Sequence, residues 1–305
     1  MTATSAETAP AELDTNTREL LRRKSIENRI AVLDQVEVSG SGHYGPAFSC
    51  MEILVSLYYG YLRLRPDEPA WQDRDRFVLS KGHACSALYP ILADLDFFGR
   101  EHLDDFCRLG SILGDHPDMK KVPGIDFSSG SLGHGLSIAV GMAEGARLRG
   151  IGNRVVALLG DGELGEGQVW EAAAHAGARR ISRLLAFVDV NGVSVDGTTA
   201  EILATEPITE RFESFGWRSE RIDGHDHDAL RAALASYDAE RLRPDGRPTV
   251  IVADTVVGRG VPFIEGLSEW HVGYFAGIDR QRAEDGIRGM FDSADTLGKT
   301  ERTAR

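Results

Sequence analysis

VVALLGDGELGEGQVWEAAAHAGA, residues 155–178, and LLAFVDVNGVSVDG, residues 184–197, decide the fold. The apolar run 155–159 is too short for a helix and ends in a Gly-Asp-Gly turn, so it reads as a buried strand. A helix through residue 178 and a second apolar strand at 184–188 complete a βαβ unit. Asp161 and Asn191 stand 30 positions apart, each just beyond the carboxyl end of a predicted strand. In an open parallel sheet, adjacent strand ends of this kind are where ligands bind. One carboxylate, one amide oxygen and a nearby backbone carbonyl form a hard oxygen set suited to Mg²⁺ or Ca²⁺, ions that also take phosphate oxygens. The pair therefore predicts a metal-bridged diphosphate. Taken alone, Gly-Asp-Gly is equally a good turn; the asparagine at this distance is what shifts the reading.

Outward from this unit the alternation continues. A strand at 217–222, a helix at 226–237 and an apolar strand at 248–253 follow it. Before it, apolar positions at helical spacing mark an amphipathic helix over 17–38, closed by the glycine-rich turn SGSGHYGP, residues 39–46. A helix over 50–62 carries Tyr58, Tyr59 and Tyr61, which read as packing residues. RFVLS, residues 76–80, is a short strand running into Lys81-Gly82-His83 and a helical stretch to about residue 98. Residues 99–137 are irregular, and so long an irregular stretch inside a domain is usually functional. A small-residue helix follows at 136–148. The pattern predicts an α/β fold with a mostly parallel sheet covered by helices on both faces, one domain over 17–292, and flexible tails at 1–16 and 293–305.

With 305 residues, 42% of them hydrophobic, the chain has enough apolar material for one large core. Acidic residues outnumber basic ones 47 to 34, for a net charge of −13, and no Lys/Arg run offers a footprint for nucleic acid or an anionic membrane. A phosphorylated substrate would need a local cationic site. Cys50, Cys85 and Cys107 lack metal-ligand spacing and read as free, buried thiols of a reducing compartment. Residues 1–17 have neither the basic start nor the apolar core of a secretory signal, and no apolar run approaches the roughly 18 residues needed to span a bilayer. A cytosolic protein is expected.

The Gly-Asp-Gly motif with its distant asparagine resembles that of the thiamine-diphosphate enzymes. GHYGPAFSCMEIL, DRFVLSKGHACSALY, HPD, SSGSLGHGLSIAVGMA, GDGELGEGQVWEA and FGWRSERIDGHD, followed by a late WH, occur in the order found in transketolases. The match runs from about residue 17 to about 290 and is similar above all to the N-terminal subunits of split transketolases.

That resemblance implies a thiamine-diphosphate-binding fold in which Asp161, the Asn191 side chain and the Val193 carbonyl hold the metal. Gly162 belongs to the same motif, and Val195 packs against the cofactor rings. His43, His116 and His271 match the histidines that face sugar hydroxyls and proton transfer, with His83 near the diphosphate. An imidazole suits such work because it donates or accepts near neutral pH. Gly130, Leu132 and Gly133 match the loop that lets backbone approach the cofactor; a helix-capping turn is the competing reading. Glu166 matches the acidic residue of the subunit-interface network, or is simply a helix N-terminal charge. His102, His175 and His227 match nothing, and His134 and His225 suit structural roles. Tyr44, Asp115 and Val190 depart from the usual residues, the first two bordering the expected substrate channel. TVVGRG, residues 255–260, agrees with the loop before the last histidine, and its Arg259 is expected to face solvent.

In transketolases the glutamate that protonates the aminopyrimidine ring lies in a following pyrimidine-binding domain, and the chain ends at Arg305 without one. The resemblance therefore implies a C-terminal partner subunit, an α₂β₂ heterotetramer and a small-molecule sugar substrate, with a two-carbon ketol unit passed from a ketose to an aldehyde. Two alternatives stand beside it. A 2-oxoacid dehydrogenase α subunit shares Gly-Asp-Gly and the asparagine, and a noncatalytic cofactor-binding subunit would keep the fold without the chemistry.

Overall fold

Five strands form one parallel sheet in the order β1-β2-β3-β7-β6. They are β1 (Arg76–Leu79), β2 (Val155–Gly160), β3 (Leu184–Val190), β6 (Arg218–Asp223) and β7 (Thr249–Asp254), while β4 (Val193–Ser194) and β5 (Gly197–Thr198) make a separate antiparallel hairpin. The structure is a computed structural model that describes residues 12–291. The helices are α1 (Thr15–Ser39), α2 (Tyr44–Ser49), α3 (Met51–Gly60), α4 (Cys85–Asp94), α5 (His134–Leu148), α6 (Gly167–Ala178), α7 (Thr199–Leu203), α8 (Ile208–Ser214), α9 (His227–Arg241) and α10 (Ile278–Arg288).

Side chains alternate along each strand and feed two cores. Val155, Ala157 and Leu159 pack with α5, α6 and α8, whereas Val156 and Leu158 pack with α1, α3, α4 and α9. The reason is connection handedness. From β1 through β2 and β3 to β6 the chain steps one way across the sheet, but β6 to β7 steps back. A crossover of constant hand then lays α9 on the face opposite α5, α6 and α8. Near-continuous burial of β2, β3 and β7 follows from having both faces covered.

The edge strand β1 is sealed rather than exposed. Asp126, from the irregular stretch after α4, accepts from Phe77 N–H at 2.9 Å and pairs with Arg74 at 2.6 Å. On the other edge β6 carries Arg218, Glu220 and Arg221, charges that discourage pairing with another sheet.

Several boundaries differ from expectation. The helix expected at 17–38 starts at Thr15, where the Asp14 side chain caps Thr17 N–H at 2.9 Å, and Leu13 is buried. The expected tail at 1–16 thus gives way to packed structure from Leu13; its residues 1–11, and the whole of the expected tail 293–305, lie outside the described residues. The turn at 39–46 is itself partly helical, because α2 begins at Tyr44 and places Pro46 in its first turn, where a missing N–H costs nothing. Helix α10 is absent from the sequence pattern; its sequence, IDRQRAEDGIR, is mostly polar and buries only Ala283 and Ile287. Cys50 and Cys85 are buried as expected, but Cys107 is exposed.

Candidate active site

At the carboxyl ends of β2 and β3 lies a cleft of about 260 Å³. The register that pairs Gly160 with Asp189 puts Asp161 and Asn191 side by side just past the sheet, and both line the cleft. Asp161 is nearly inaccessible, and its two oxygens accept from Gly162 N–H at 3.0 Å, Gly192 N–H at 2.9 Å and Thr199 Oγ at 3.2 Å. Those donors are neutral. Burial, with the nearby Asp189 charge, pushes the carboxyl up to about 6 despite them. The Asn191 amide nitrogen donates to Asp189 at 3.2 Å and Ser49 at 3.3 Å, and its oxygen accepts from Val193 N–H at 3.0 Å. A sunken carboxylate with neutral donors and an oriented amide oxygen, with Val193 also on the cleft wall, are the hard-oxygen chemistry that a divalent cation fits.

Four histidines converge on the same cleft. His43 is central, with ring centroids 5.4 Å from His83, 6.3 Å from His116 and 5.8 Å from His271, and His83 lies 5.2 Å from His271. They are far apart in sequence, and local structure explains their meeting. Gly42 and Gly273 exchange backbone hydrogen bonds at 3.0 and 2.9 Å, which sets His43 beside His271. His83 sits in a 3-10 turn at the carboxyl end of β1, where Gly82 lies so close to Ser129 that a Cβ would meet its Oγ at 2.6 Å. Burial, then the Lys81 charge and the neighbouring imidazoles, holds His83 well below its ordinary value. His271 is lowered to about 4 by burial, His43 and Lys81. Both rings are neutral at pH 7, able to donate from one nitrogen and accept at the other.

Gly130, Leu132, Gly162 and Val195 also line the cleft. Gly133 stands behind it, at the start of α5 with φ +85°, and a Cβ there would come within 2.6 Å of the Glu166 Cβ. Glu166 is exposed, beside Gly133 and outside the cleft wall.

Three side chains escape the sequence reading. Lys81, fully buried, ion-pairs with Asp189, which also accepts from Ser49 Oγ at 2.6 Å and from Thr255 Oγ. Burial opposes the Lys81 charge, but Asp189 outweighs it and holds the ammonium charged. Glu163 is buried and accepts from Gly133 N–H at 2.8 Å, Gly160 N–H at 3.2 Å and Ser80 Oγ; burial raises its carboxyl. For Lys81 and Asp189 the available signal is a charge at the end of, or inside, an apolar run, as in FVLSK and FVDV.

One site-border expectation needs correction. Tyr44 does not border the cleft; it is fully buried, stacked on Phe275 at 4.4 Å, because α2 turns it inward. Arg259 is only half-exposed, 3.7 Å from Glu265, while its carbonyl accepts from Arg29 at 3.0 Å. The histidines read as structural behave so where contacts exist: His227 is buried between Ser25 and Ser56, and His225 accepts from Val256 N–H at 2.9 Å while donating to Glu52 at 2.8 Å.

Residues 22–284 match the family of the transketolase, thiamine diphosphate binding domain. The chain belongs to the transketolase family. It is 42% identical over 243 residues to a 6-deoxy-6-sulfo-D-fructose transketolase subunit from a Clostridium species, covering 80% of this chain and 87% of that one. It is 35% identical over 281 residues to one of the apulose-4-phosphate transketolase subunits of Phocaeicola vulgatus, covering 92% and 97%. The transketolase crystal structure from Campylobacter jejuni superposes with a TM-score of 0.82 at 29% identity, over 88% of this chain but 43% of that one. This chain is therefore a transketolase-family subunit of the N-terminal, thiamine-diphosphate-binding kind, and the 2-oxoacid dehydrogenase alternative gives way. No helix among the described residues is long and apolar enough to cross a membrane.

Proposed function

We propose that this chain is the cofactor-holding half of a cytosolic two-chain transketolase that moves a two-carbon ketol unit from a ketose or ketose phosphate to an aldehyde-type acceptor. The observation that carries the reading is the ring of four histidines over one cleft whose floor is Asp161 and Asn191. Asp161, Asn191 and the Val193 carbonyl would hold Mg²⁺ or Ca²⁺ against the diphosphate, with Gly162 beside them. Gly130, Leu132 and Gly133 would let the backbone approach, and Val195 would meet the rings. Thiamine diphosphate, when bound, supplies the carbanion-stabilising chemistry of ketol transfer. The chain's own residues bind, orient and move protons. His43, His116 and His271 would hydrogen-bond the sugar hydroxyls and exchange protons with them, and His83 would meet the diphosphate. Neutral rings suit this work, and the depressed His271 and His83 are neutral throughout the physiological range.

A partner chain bearing the pyrimidine-binding domain is the second part of the proposal, in an α₂β₂ assembly. Its support is that relatives covered almost end to end are called subunits, together with the surface beside the cleft. Helix α7 buries none of its residues; its Ile202 and Leu203, and Val195 on the cleft wall, are all at least half-exposed, with Leu203 against Gly165. An apolar rim of this kind fits a protein neighbour better than water. The test is turnover of a ketose such as xylulose 5-phosphate by this chain, by the pyrimidine-domain chain and by their mixture. Activity of the mixture alone is expected. Robust turnover by this chain alone, free of host transketolase, refutes the split site.

A further inference from the structure

Asp115 is not on the cleft wall, but it touches His43, which is. Its Oδ1 lies 3.2 Å from His43 Nδ1. The two residues before Asp115 are pinned. The Gly114 carbonyl accepts from Tyr89 OH at 3.0 Å and from the Cys85 thiol at 3.5 Å, both on α4, and Cys107 N–H holds the Leu113 carbonyl at 2.8 Å. The helix that follows His83 thus delivers this carboxylate to His43.

An ionised carboxylate only accepts, so the ring nitrogen facing it carries a hydrogen. In the neutral imidazole that leaves the lone pair on Nε2. The other groups around the ring, His83, His116 and His271, are imidazoles at centroid separations of 5.4, 6.3 and 5.8 Å, and the nearby ammonium of Lys81 is committed to Asp189. None of these offers His43 a carboxylate. The Asp115 side chain is 45% exposed, against 14% for His43. Water therefore screens its charge, and its effect lies in the directed hydrogen bond.

We propose that Asp115 is a positioning residue for His43, holding the imidazole in the Nδ1–H tautomer and one orientation so that Nε2 is the acceptor offered to substrate. The tautomer part stands on geometry alone, while the catalytic consequence rests on the proposed ketol transfer. A ring whose tautomer is set by its other hydrogen bond is a general device for making one nitrogen a dependable base.

The test has two arms. In the full chain labelled with ¹⁵N-histidine, long-range ¹H–¹⁵N correlation reads the tautomer of His43, whose signals are assigned by their loss in His43→Gln. Wild type is expected as Nδ1–H. Asp115→Asn, whose amide oxygen still accepts, should keep it, and Asp115→Ala should move the ring to Nε2–H or a mixture. In the two-chain complex, Asp115→Ala should lower kcat about tenfold or more with little change in KM for the ketose, and Asp115→Asn should recover most of it. An Nε2–H ring in wild type, an unchanged tautomer in Asp115→Ala, or full kcat in that variant overturns the proposal. If the tautomer depends on Asp115 but the complex turns over no ketose, the positioning role stands and the ketol-transfer reading fails.

Discussion

Replacing Glu52 with alanine should cost more stability than any single substitution on the surface of this protein. Glu52 and Arg29 form a bidentate pair at 2.5 and 2.8 Å, with side chains 1% and 0% exposed. Arg29 also donates to the Phe48 carbonyl at 2.8 Å and the Arg259 carbonyl at 3.0 Å, and Glu52 accepts from His225. His225 in turn accepts from Val256 N–H, so its Nδ1 must be the donor to Glu52. The network ties α1 and α3 to the segment after β7 that leads to His271. Removing Glu52 strands a guanidinium in the core, which costs roughly 3–5 kcal/mol. For a domain of this size that is on the order of 10 °C in Tm. Burial by itself would raise the Glu52 carboxyl, but Arg29 and His225 overturn that and hold it far below the ordinary range. Because the folded value is the lower one, the pair contributes fully above the unfolded value of about 4.3 and fades as pH falls below it. The assay is urea unfolding followed by circular dichroism at pH 7 and at pH 3.5. Glu52→Ala should lose most at pH 7 and about 1 kcal/mol less at pH 3.5, where the folded carboxylate is still ionised. Arg29→Met combined with Glu52→Leu should recover a large part of the loss, since no charge is left unpaired. A single-variant loss below about 1 kcal/mol at pH 7, or an equal loss at both pH values, would refute the reasoning.

Other outcomes follow from single contacts. Asp161→Ala should abolish Mg²⁺-dependent thiamine-diphosphate binding in the two-chain complex; unchanged affinity by calorimetry would remove the metal assignment. Gly133→Ala places a Cβ at φ +85° against Glu166, so a loss of about 1–2 kcal/mol should appear in chemical denaturation, together with weaker cofactor binding. His227, lowered to about 4 by burial, is packed against Ser25 and Ser56 with Glu52, Arg29, Asp226 and Arg22 around it. Its folded value lies below its unfolded one, so stability should fall from pH 6.5 toward 4, and His227→Gln should flatten that slope in melts across the range. Ile202→Ser with Leu203→Ser should leave Tm unchanged, because neither residue is buried, yet weaken association with the pyrimidine-domain chain in sedimentation; undiminished association moves the interface elsewhere.

Much of the architecture is legible because it is written in local signals. Apolar runs bounded by glycine and proline mark β1, β2, β3 and β7, and the 30-residue interval from Asp161 to Asn191 spans one helix and one strand of a βαβ unit. Helix α10 escapes because it is polar overall and buries only Ala283 and Ile287, too little apolar surface to stand out in the sequence as a core-facing stripe. Tyr44 is misplaced by sequence reasoning because which way a residue faces in a six-residue helix is set by what packs on it, here Phe275.

By itself the sequence determined the element types, the parallel sheet, and which short motifs carry the oxygen-bearing and imidazole groups proposed for the site. Periodicity, turn chemistry and residue type are properties of neighbours along the chain. Only the tertiary structure decided that His43, His83, His116 and His271 share one cleft, because their meeting depends on the Gly42–Gly273 bridge and on strand order. It alone paired Lys81 with Asp189, joined Glu163 to Gly133, and turned Asp115 onto His43. Those contacts join residues 30 to 108 positions apart, and over such distances a charge or an imidazole acquires its partner only when the sheet has closed around it.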